Sequence, residues 1–254
     1  MAPGLRRWLK RAYHSLLMLQ SGGRGLRCTL PGGERVRALP EYRHISWNPS
    51  EYAAFRAAVG AGDVAIDVGA NVGAYALLLG QWVGPRGRVF AFEPAPAVHE
   101  ALARHIRLNQ LDGVVQPVAS AVSDGERDAP LVLAGTSGES RLAVPGDSGD
   151  VCSVRLTTID RFCAREGIVP SFIKVDVEGW ELAVLRGARE TIRSRGDRLS
   201  LFVELHPSIW PQIGVTRDDL LAELDVQQLD VVPLIPGDDP WVVEGMAVKL
   251  VHRP

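Results

Sequence analysis

Four acidic residues stand at the ends of apolar segments that read as strands, and a histidine follows the last of them. Asp67 ends the first segment, and Glu93 and Asp176 follow two later ones. Glu204 ends a fourth, with His206 two residues beyond it. In an open parallel sheet, ligands bind outside the carboxyl ends of the strands. We therefore expect these carboxylates and the imidazole to line one site, where they could hold hydroxyl groups or move protons.

A glycine-containing turn follows the first of these segments, in the run Asp67-Val68-Gly69-Ala70-Asn71-Val72-Gly73. A turn from a strand into a helix lets backbone N–H groups approach a ligand closely. The dinucleotide fingerprint G-x-G-x-x-G has a central glycine that this turn lacks. The turn therefore suits a ligand without a pyrophosphate, such as S-adenosylmethionine, whose ammonium and carboxylate could meet the strand-end acid and the turn. Glu93 lies roughly twenty residues beyond Gly73, the separation at which an acid reaches a ribose diol.

The composition is that of a soluble globular protein with 254 residues, 46% of them hydrophobic and 23% charged. This length suffices for one α/β domain with a well-buried core. The formal net charge of −2 gives no footprint for nucleic acid. Cys28, Cys152 and Cys163 form neither a zinc spacing nor a disulfide framework, which favours a reducing, cytoplasmic compartment. No run approaches the roughly 20 apolar residues of a membrane span.

The N-terminal segment combines basic residues with a helical apolar pattern. Four basic residues and no acidic one lie within residues 1–20, namely Arg6, Arg7, Lys10 and Arg11. A basic amphipathic helix can bind an anionic membrane surface or a partner, and it can also simply pack on its own domain. Residues 25–46 read as short strands around a turn. We predict residues 1–60 to be an N-terminal extension or cap and residues 61–254 to form the main domain.

Strand and helix patterns alternate from residue 62 onward, which predicts a parallel sheet with helices on both faces. Strands are expected near residues 64–68, 88–92, 114–118, 152–157, 172–176, 199–203, 231–235 and 245–251. Helices are expected at about 50–59, 74–82, 96–109, 159–166, 179–194 and 216–224. Residues 123–150 are rich in Gly, Ser and Asp, and we predict a long loop there, either a lid over the site or a surface insertion.

Several blocks together resemble the FkbM-type S-adenosylmethionine-dependent methyltransferases. They are the glycine turn, Phe92-Glu93-Pro94, Thr158-Ile159-Asp160, Ile173-Lys174-Val175-Asp176-Val177-Glu178-Gly179-Trp180-Glu181, Val184-Leu185-Arg186-Gly187-Ala188 and Val203-Glu204-Leu205-His206. The match covers roughly residues 60–207, and Trp180 departs from it, since the family more often has a small residue there. The resemblance implies a Rossmann-like class I methyltransferase fold, with a seven-stranded, mostly parallel sheet whose last strand is antiparallel. It also implies O-methylation, commonly of sugar or secondary-metabolite hydroxyls.

The resemblance also assigns cofactor contacts by position. Asp67, Gly69 and Gly73 would line the methionine end of S-adenosylmethionine, and Asn71 would sit on the same turn. Glu93 would hold the ribose. Asp124, after the third strand, is a candidate for the adenine.

Methyl transfer to an aliphatic hydroxyl needs a base to remove its proton. We predict His206 as this base, with Glu204 either orienting it or sharing its proton. Asp176 and Glu178 are the next candidates, although Glu178 could instead stabilise the start of the following helix.

Asp176, Glu204 and His206 also offer oxygen and nitrogen ligands to a divalent metal, although Mg²⁺ prefers oxygen alone. Glu181 is expected to stabilise the start of the following helix. Lys174 is expected to pair with an acid rather than to take part in catalysis.

Two other functions compete with an O-methyltransferase that uses a small-molecule hydroxyl acceptor. An NAD(P)-dependent oxidoreductase would use a similar fold, but Asn71 in the glycine turn counts against it. A non-catalytic adaptor would bind the cofactor and use the basic helix of residues 1–20 for peripheral membrane or partner contact. Homo-oligomers are compatible with either enzyme.

Overall fold

The structure is a computed structural model of the chain, and it describes residues 3–30, 32–133, 140–144, 147, 149–242 and 245–253. Its N-terminal elements are α1 (Pro3–Gln20), β1 (Leu26–Thr29), β2 (Arg35–Ala38) and α2 (Pro49–Ala58). They are followed by β3 (Val64–Val68), α3 (Ala74–Val83), β4 (Arg88–Phe92), α4 (Pro96–Leu108), β5 (Val115–Val118), β6 (Ala121–Val122), β7 (Asp128–Val132), β8 (Arg141–Leu142) and β9 (Val151–Thr157). The C-terminal elements are α5 (Ile159–Glu166), β10 (Phe172–Val175), α6 (Glu181–Arg186), α7 (Arg189–Arg195), β11 (Ser200–Leu205), α8 (Arg217–Val226), β12 (Leu229–Pro233) and β13 (Met246–His252).

Seven strands form the central sheet in the order β12-β13-β11-β10-β3-β4-β5. The five strands from β11 to β5 are parallel, whereas β13 runs antiparallel to both of its neighbours. The predicted fold class, a class I methyltransferase sheet with an antiparallel last strand, is therefore confirmed. The order also places β10 beside β3, so that Lys174 is the register partner of Asp67.

The residues before the sheet contribute to its core. Phe55 of α2 is fully buried and makes edge-to-face contacts with Phe172 and Phe202, which lie on neighbouring strands. Asn48 caps α2 by accepting hydrogen bonds from the N–H groups of Ser50 and Glu51. The predicted extension, residues 1–60, thus shares a core with residues 61–254, and the boundary between them stays a prediction.

The prediction of a long loop at residues 123–150 is wrong for the part of this range that the structure describes. β7 and β8 lie within it and join β6 and β9 in a second, four-stranded sheet of order β6-β9-β7-β8. Leu131 and Leu142 pair across β7 and β8 and are buried. The polar residues around these short strands hid their alternation from the sequence pattern. Residues 134–139, 145–146 and 148 lie outside the described residues, so the lid function stays a prediction.

The prediction of a single helix at 179–194 is also wrong, because two separate helices, α6 and α7, lie there. They are divided at Gly187, where a side chain would collide with the carbonyl of Ser123. Asp160 then caps α7, since its carboxylate accepts hydrogen bonds from the N–H groups of Glu190 and Thr191 at 3.0 and 2.7 Å. Within the described residues, no helix combines the length and apolarity that crossing a membrane requires.

Candidate functional site

The glycine turn connects β3 to α3 in a sharp, left-handed path. Gly69, Asn71 and Gly73 all have positive φ angles, of 80°, 49° and 96°. A side chain at position 69 would collide with the carbonyl oxygen of Asp176, so the ends of β3 and β10 meet there backbone to backbone. A side chain at position 73 would press on Leu102 of α4. The turn therefore needs glycine for close packing at both ends.

The backbone N–H groups of this turn are engaged within the protein. Those of Gly69 and Ala70 donate to the carbonyl of Phe92 at 3.1 and 2.8 Å, and that of Gly73 donates to Ala70. The expectation that N–H groups of the turn meet the ligand therefore fails at these three residues. The turn folds back on the end of β4, which satisfies them. These three N–H groups are therefore not free to bind a ligand.

Two cavities open at the carboxyl edge of the sheet. The first cavity, of about 310 Å³, is lined by residues that include Gly69, Asn71, Glu93, Ser120, Asp176 and Trp180. The second cavity, of about 430 Å³, is lined by residues that include Glu41, His44, Asp67, Tyr75, Lys174 and Asp176. The two share part of their walls, at Tyr42, Gly69, Asn71, Val72 and Asp176. A ligand in one cavity would therefore face a ligand in the other across these shared residues.

Asp67 is a buried carboxylate whose charge is incompletely balanced. Only 1% of the residue is exposed. The Ala76 N–H lies near enough to lower its pKa, but among the described residues no group hydrogen-bonds to either oxygen in good geometry. Burial raises the pKa of Asp67 to about 6, although the Lys174 ammonium works in the opposite direction. A buried, unpartnered acceptor is costly, so this carboxylate would gain most from a donor or cation brought in by a ligand.

Glu93 is also buried, directly after β4 and on the wall of the first cavity. Its Oε1 accepts a hydrogen bond from the N–H of Ala95 at 2.8 Å. Burial raises the pKa of Glu93 to about 7, although N–H groups of Ala95 and Asn71 lower it. A carboxylate here can accept from the two hydroxyls of a diol, as the sequence predicts for a ribose.

Lys174 and Asp176 form a buried ion pair at the end of β10. The Lys174 ammonium lies 2.9 Å from Asp176 Oδ2, and only 5% of the lysine side chain is exposed. Burial lowers the pKa of Lys174, but Asp176, Asp67 and Glu204 more than offset this and raise it overall. Lys174 therefore keeps its charge and fixes Asp176, as predicted. The ammonium also lies 5.2 Å from the centre of the Tyr75 ring.

His206 is buried behind Asp176, with one nitrogen held and the other facing carboxylates. Its Nδ1 lies 2.8 Å from Glu181 Oε1. Its Nε2 lies 3.7 Å from Glu178 Oε2, 3.8 Å from Glu204 Oε1 and 3.9 Å from Asp176 Oδ1. Burial opposes a charge on this imidazole, but the bond to Glu181 and the facing carboxylates raise the pKa of His206 to about 9.

Glu181 does more than the helix-stabilising role that the sequence suggests. It is fully buried and accepts hydrogen bonds from the Gly179 N–H and the Trp210 indole, both at 2.8 Å, besides its contact with His206. Glu181, and not Glu204 as predicted, therefore fixes the ring orientation of His206, since Glu204 Oε1 is 3.8 Å from the imidazole and beyond hydrogen-bond distance. The position of Glu181 in α6 was visible in the sequence, but its direction was not.

Glu204 and Glu51 bring two more acids to this region from opposite sides. Burial and the Asp176 carboxylate raise the pKa of Glu204 to about 8. Burial also raises the pKa of Glu51 on α2, although the Tyr75 hydroxyl hydrogen-bonds to it. Sequence reasoning missed Glu51 because it reads as an ordinary first-turn acid of a capped helix. Only the structure shows that Glu51 is buried and lies beside Tyr75.

Comparison with known proteins identifies the family. A family model described as the methyltransferase FkbM domain matches residues 67–230, well over half of the chain. The chain belongs to this family. The match includes the glycine turn, Glu93 and all the acids around His206, and it confirms the resemblance found in the sequence.

Individual relatives agree with this assignment. The hexuronic acid methyltransferase AglP of Haloferax volcanii is 31% identical over 169 residues, which cover 63% of this chain and 62% of AglP. The methyltransferase sdnD of Sordaria araneosa is 26% identical over 185 residues, covering 72% of this chain and 64% of sdnD. The matches therefore span less than two thirds of these relatives.

A solved structure shares the fold. The crystal structure of an S-adenosylmethionine-dependent O-methyltransferase from Thermotoga maritima superposes with a TM-score of 0.50 at 15% identity, covering 91% of this chain and 79% of that one. At this identity the likeness concerns the fold, and it agrees with the class I sheet order described above.

Four predicted site residues line neither cavity of this FkbM-family site, namely Gly73, Asp124, Glu204 and His206. Asp124 pairs with Arg127 at 3.0 Å and is not among the residues lining the first cavity. The adjacent Ser120, Ala121 and Val122 line it instead. The predicted contact of Asp124 with the adenine stays a prediction. Trp180, which departs from the family pattern, forms part of the cavity wall.

His105 is a positioning residue of this FkbM-family chain that the sequence did not reveal. It is fully buried on α4, and its Nε2 accepts the N–H of Leu39 at 2.9 Å while its Nδ1 lies 2.7 Å from the carbonyl of Val72. Burial lowers the pKa of His105. The imidazole thereby ties the segment after β2 to the glycine turn.

Proposed function

We propose that this chain is an S-adenosylmethionine-dependent O-methyltransferase that acts on a hydroxyl group of a sugar, a glycoside or a secondary metabolite. The observation that carries this proposal is the common wall of the two cavities. Gly69, Asn71 and Asp176 border both, so a methyl donor in one would face an acceptor in the other. Family membership supports the reaction class.

The cofactor is assigned to the first cavity, with its ammonium group reaching Asp67 beyond the shared wall. S-adenosylmethionine supplies a methyl group on a positively charged sulfur when it is bound. Asp67 lines the second cavity and not the first, so the methionine end would have to pass the wall at Gly69 to pair with this buried carboxylate, and ion pairing there would offset its burial cost. Glu93 offers two oxygens to the ribose hydroxyls. Asn71 contributes from the turn between them, and Gly69 and Gly73 give that turn its shape.

The second cavity is the proposed acceptor site. Its wall combines strand-end residues with residues of the extension, among them Glu41, Tyr42 and His44. Polar side chains dominate these positions, which suits an acceptor with several hydroxyl groups. The name of the relative AglP, a hexuronic acid methyltransferase, supports a sugar-type acceptor.

His206 is the proposed general base. Glu181 holds its Nδ1, so that the neutral ring would carry its free electron pair on Nε2, toward Asp176. His206 lines neither cavity and lies behind Asp176, which lines both. As the acceptor oxygen bonds to the methyl carbon and the carbon–sulfur bond breaks, the hydroxyl proton would therefore have to pass Asp176 to reach this nitrogen. Asp176 and Glu204 flank the path and stabilise the imidazolium that forms.

Lys174 prepares this arrangement. It binds Oδ2 of Asp176, which leaves Oδ1 directed at His206. The bond to Glu181 and the facing carboxylates raise the pKa of His206 and therefore favour a protonated ring. That proton must leave before the ring can act as a base.

Asp176, Glu204 and His206 are also a candidate site for a divalent metal. One ligand atom from each lies within 4.8 Å of the others. Two carboxylate oxygens and one nitrogen suit Mg²⁺ only partly, and the Lys174 ammonium already neutralises Asp176. We therefore propose a reaction that runs without a metal, which a chelator tests directly.

The decisive experiment follows a labelled methyl group from S-adenosylmethionine into a panel of monosaccharides, uronic acids, glycosides and phenolic metabolites. We expect one acceptor class to gain label, with and without EDTA. His206→Gln should lower kcat by at least about a hundredfold and leave the affinity for S-adenosylhomocysteine within about twofold. A label that disappears with EDTA and returns with Mg²⁺ would replace the metal-free mechanism.

The same protein distinguishes the competing functions. Calorimetry should detect S-adenosylhomocysteine and not NAD. Binding of NAD alone would favour an oxidoreductase. Binding of S-adenosylhomocysteine with no transfer to any acceptor would favour a non-catalytic cofactor-binding protein.

A further inference from the structure

The outward face of α1 is an apolar surface that the rest of the protein leaves uncovered. Of the twelve exposed large apolar side chains among the described residues, six lie on this helix, namely Leu5, Trp8, Leu9, Tyr13, Leu16 and Leu19. Their exposed fractions range from 43% for Leu9 to 77% for Leu19. The other six are scattered valines and an isoleucine, so no comparable cluster stands out elsewhere in the described residues.

The spacing places most of these side chains in one stripe. Leu5, Leu9, Leu16 and Leu19 recur at intervals of three, four and seven residues, which fall on one side of an α-helix. His14, Leu17 and Met18 are half-buried and lie on the opposite side, toward the domain. The helix is thus inverted relative to an ordinary surface helix, which turns its apolar face to the core.

The sequence that contains this stripe is basic, although the neighbouring 3-10 helix carries Glu41, which pairs with Arg104. The first 33 residues contain six basic residues and no acidic one, whereas the whole chain has a formal net charge of −2. Two of the six, Lys10 and Arg11, are exposed on α1. Both lie at the edges of the domain-facing side of α1, from which their long side chains can reach toward a surface that the stripe contacts. An apolar stripe on a basic helix matches an anionic lipid surface, where apolar groups enter the interface and basic groups meet lipid phosphates.

We infer that α1 is a docking surface for an anionic lipid bilayer. A second copy of this chain fits the surface less well, because a symmetric contact would bring the two sets of basic residues together. The helix lies in the plane of the interface and does not span it. α1 also contacts the 3-10 helix Pro40–Tyr42, and Tyr42 lines both cavities, so docking places the site beside the bilayer.

The test is co-sedimentation of the full chain with vesicles of phosphatidylcholine alone or with about 30% phosphatidylserine. Wild type should bind the mixed vesicles at least about tenfold more tightly and lose most of that preference in high salt. The variant L9E/L16E should bind them at least about tenfold more weakly. K10E/R11E should lose about fivefold or more per reversed charge while keeping weak binding to neutral vesicles.

V169E/V226E is the matched control, because it replaces two apolar residues outside α1 that are more exposed than Leu9 and Leu16, and it should bind as wild type does. Thermal melts and S-adenosylhomocysteine binding check that each variant is folded. Wild-type protein that stays in the supernatant with anionic vesicles would overturn the inference. So would a wild-type dimer in solution that L9E/L16E converts to monomers without any change in vesicle binding.

Discussion

Replacing Glu93 with glutamine should make the cofactor-free protein more stable and should lower its affinity for the cofactor. The pKa of Glu93 lies at about 7 in the folded protein, against 4.5 ordinarily. When folding raises the pKa of a group, the stability that this group contributes is complete at pH values below its ordinary pKa. The contribution is lost as the pH rises through the pKa that the group has in the folded state. Ionised Glu93 therefore costs the native state about 3 kcal/mol at pH 8.

Glutamine cannot ionise, and its side-chain oxygen can still accept the N–H of Ala95. Glu93→Gln should thus raise Tm at pH 8 by about 6–12 °C. At pH 5 the advantage should shrink to below about 1 kcal/mol, because Glu93 is then mostly protonated in the native state. Glu100→Gln, an exposed replacement on α4, controls for a simple loss of charge.

Binding should change in the opposite direction. If Glu93 holds the ribose diol, glutamine should weaken S-adenosylhomocysteine binding at pH 8 by about 10- to 100-fold, because one strong acceptor is lost. Thermal melts between pH 5 and pH 8 and calorimetry measure both effects. A Tm difference that does not depend on pH would refute the burial argument. Unchanged affinity in a stabilised variant would refute the ribose contact alone.

Three further substitutions test other parts of the structure. Gly69→Ala should abolish S-adenosylhomocysteine binding and lower Tm, since a methyl group meets the carbonyl of Asp176; binding within twofold of wild type would contradict this close approach. Phe55→Ala should cost about 3–5 kcal/mol in denaturant unfolding, because the ring fills the core between Phe172 and Phe202; a loss below 1 kcal/mol would mean that α2 packs loosely. Asp124→Ala decides the adenine assignment, and on the geometry described above calorimetry should find unchanged binding, whereas a tenfold loss would restore the contact.

The sequence predicted most of what depends on the period of apolar residues and on glycine. The apolar runs ending at Asp67, Glu93 and Glu204 gave the parallel strands, and the open sheet then required their ends to share one edge. Short strands such as β8 escaped prediction, because two residues show no period. The division between α6 and α7 escaped too, since it depends on how closely Gly187 approaches a distant backbone carbonyl.

Side-chain direction was the other limit of the sequence. Glu181 and Glu51 both read as acids in the first turn of a helix, where such residues are common. The structure turns the first toward His206 and buries the second beside Tyr75. Nothing in a helical pattern distinguishes an acid that faces solvent from one that faces a site across the chain. His105 escaped prediction for the same reason.

The walls of the second cavity differ in how much amino-acid substitution they can tolerate. One wall consists of strand ends that pack so closely that no side chain fits at position 69. Few substitutions can therefore be tolerated there. The opposite wall comes from the segment around Glu41, Tyr42 and His44, outside the sheet and its hydrogen-bond ladders. Substitutions and length changes in that segment would leave the sheet intact. If the second cavity holds the acceptor, as proposed, acceptor preference can change by substitutions in this wall while the residues at the sheet edge stay the same.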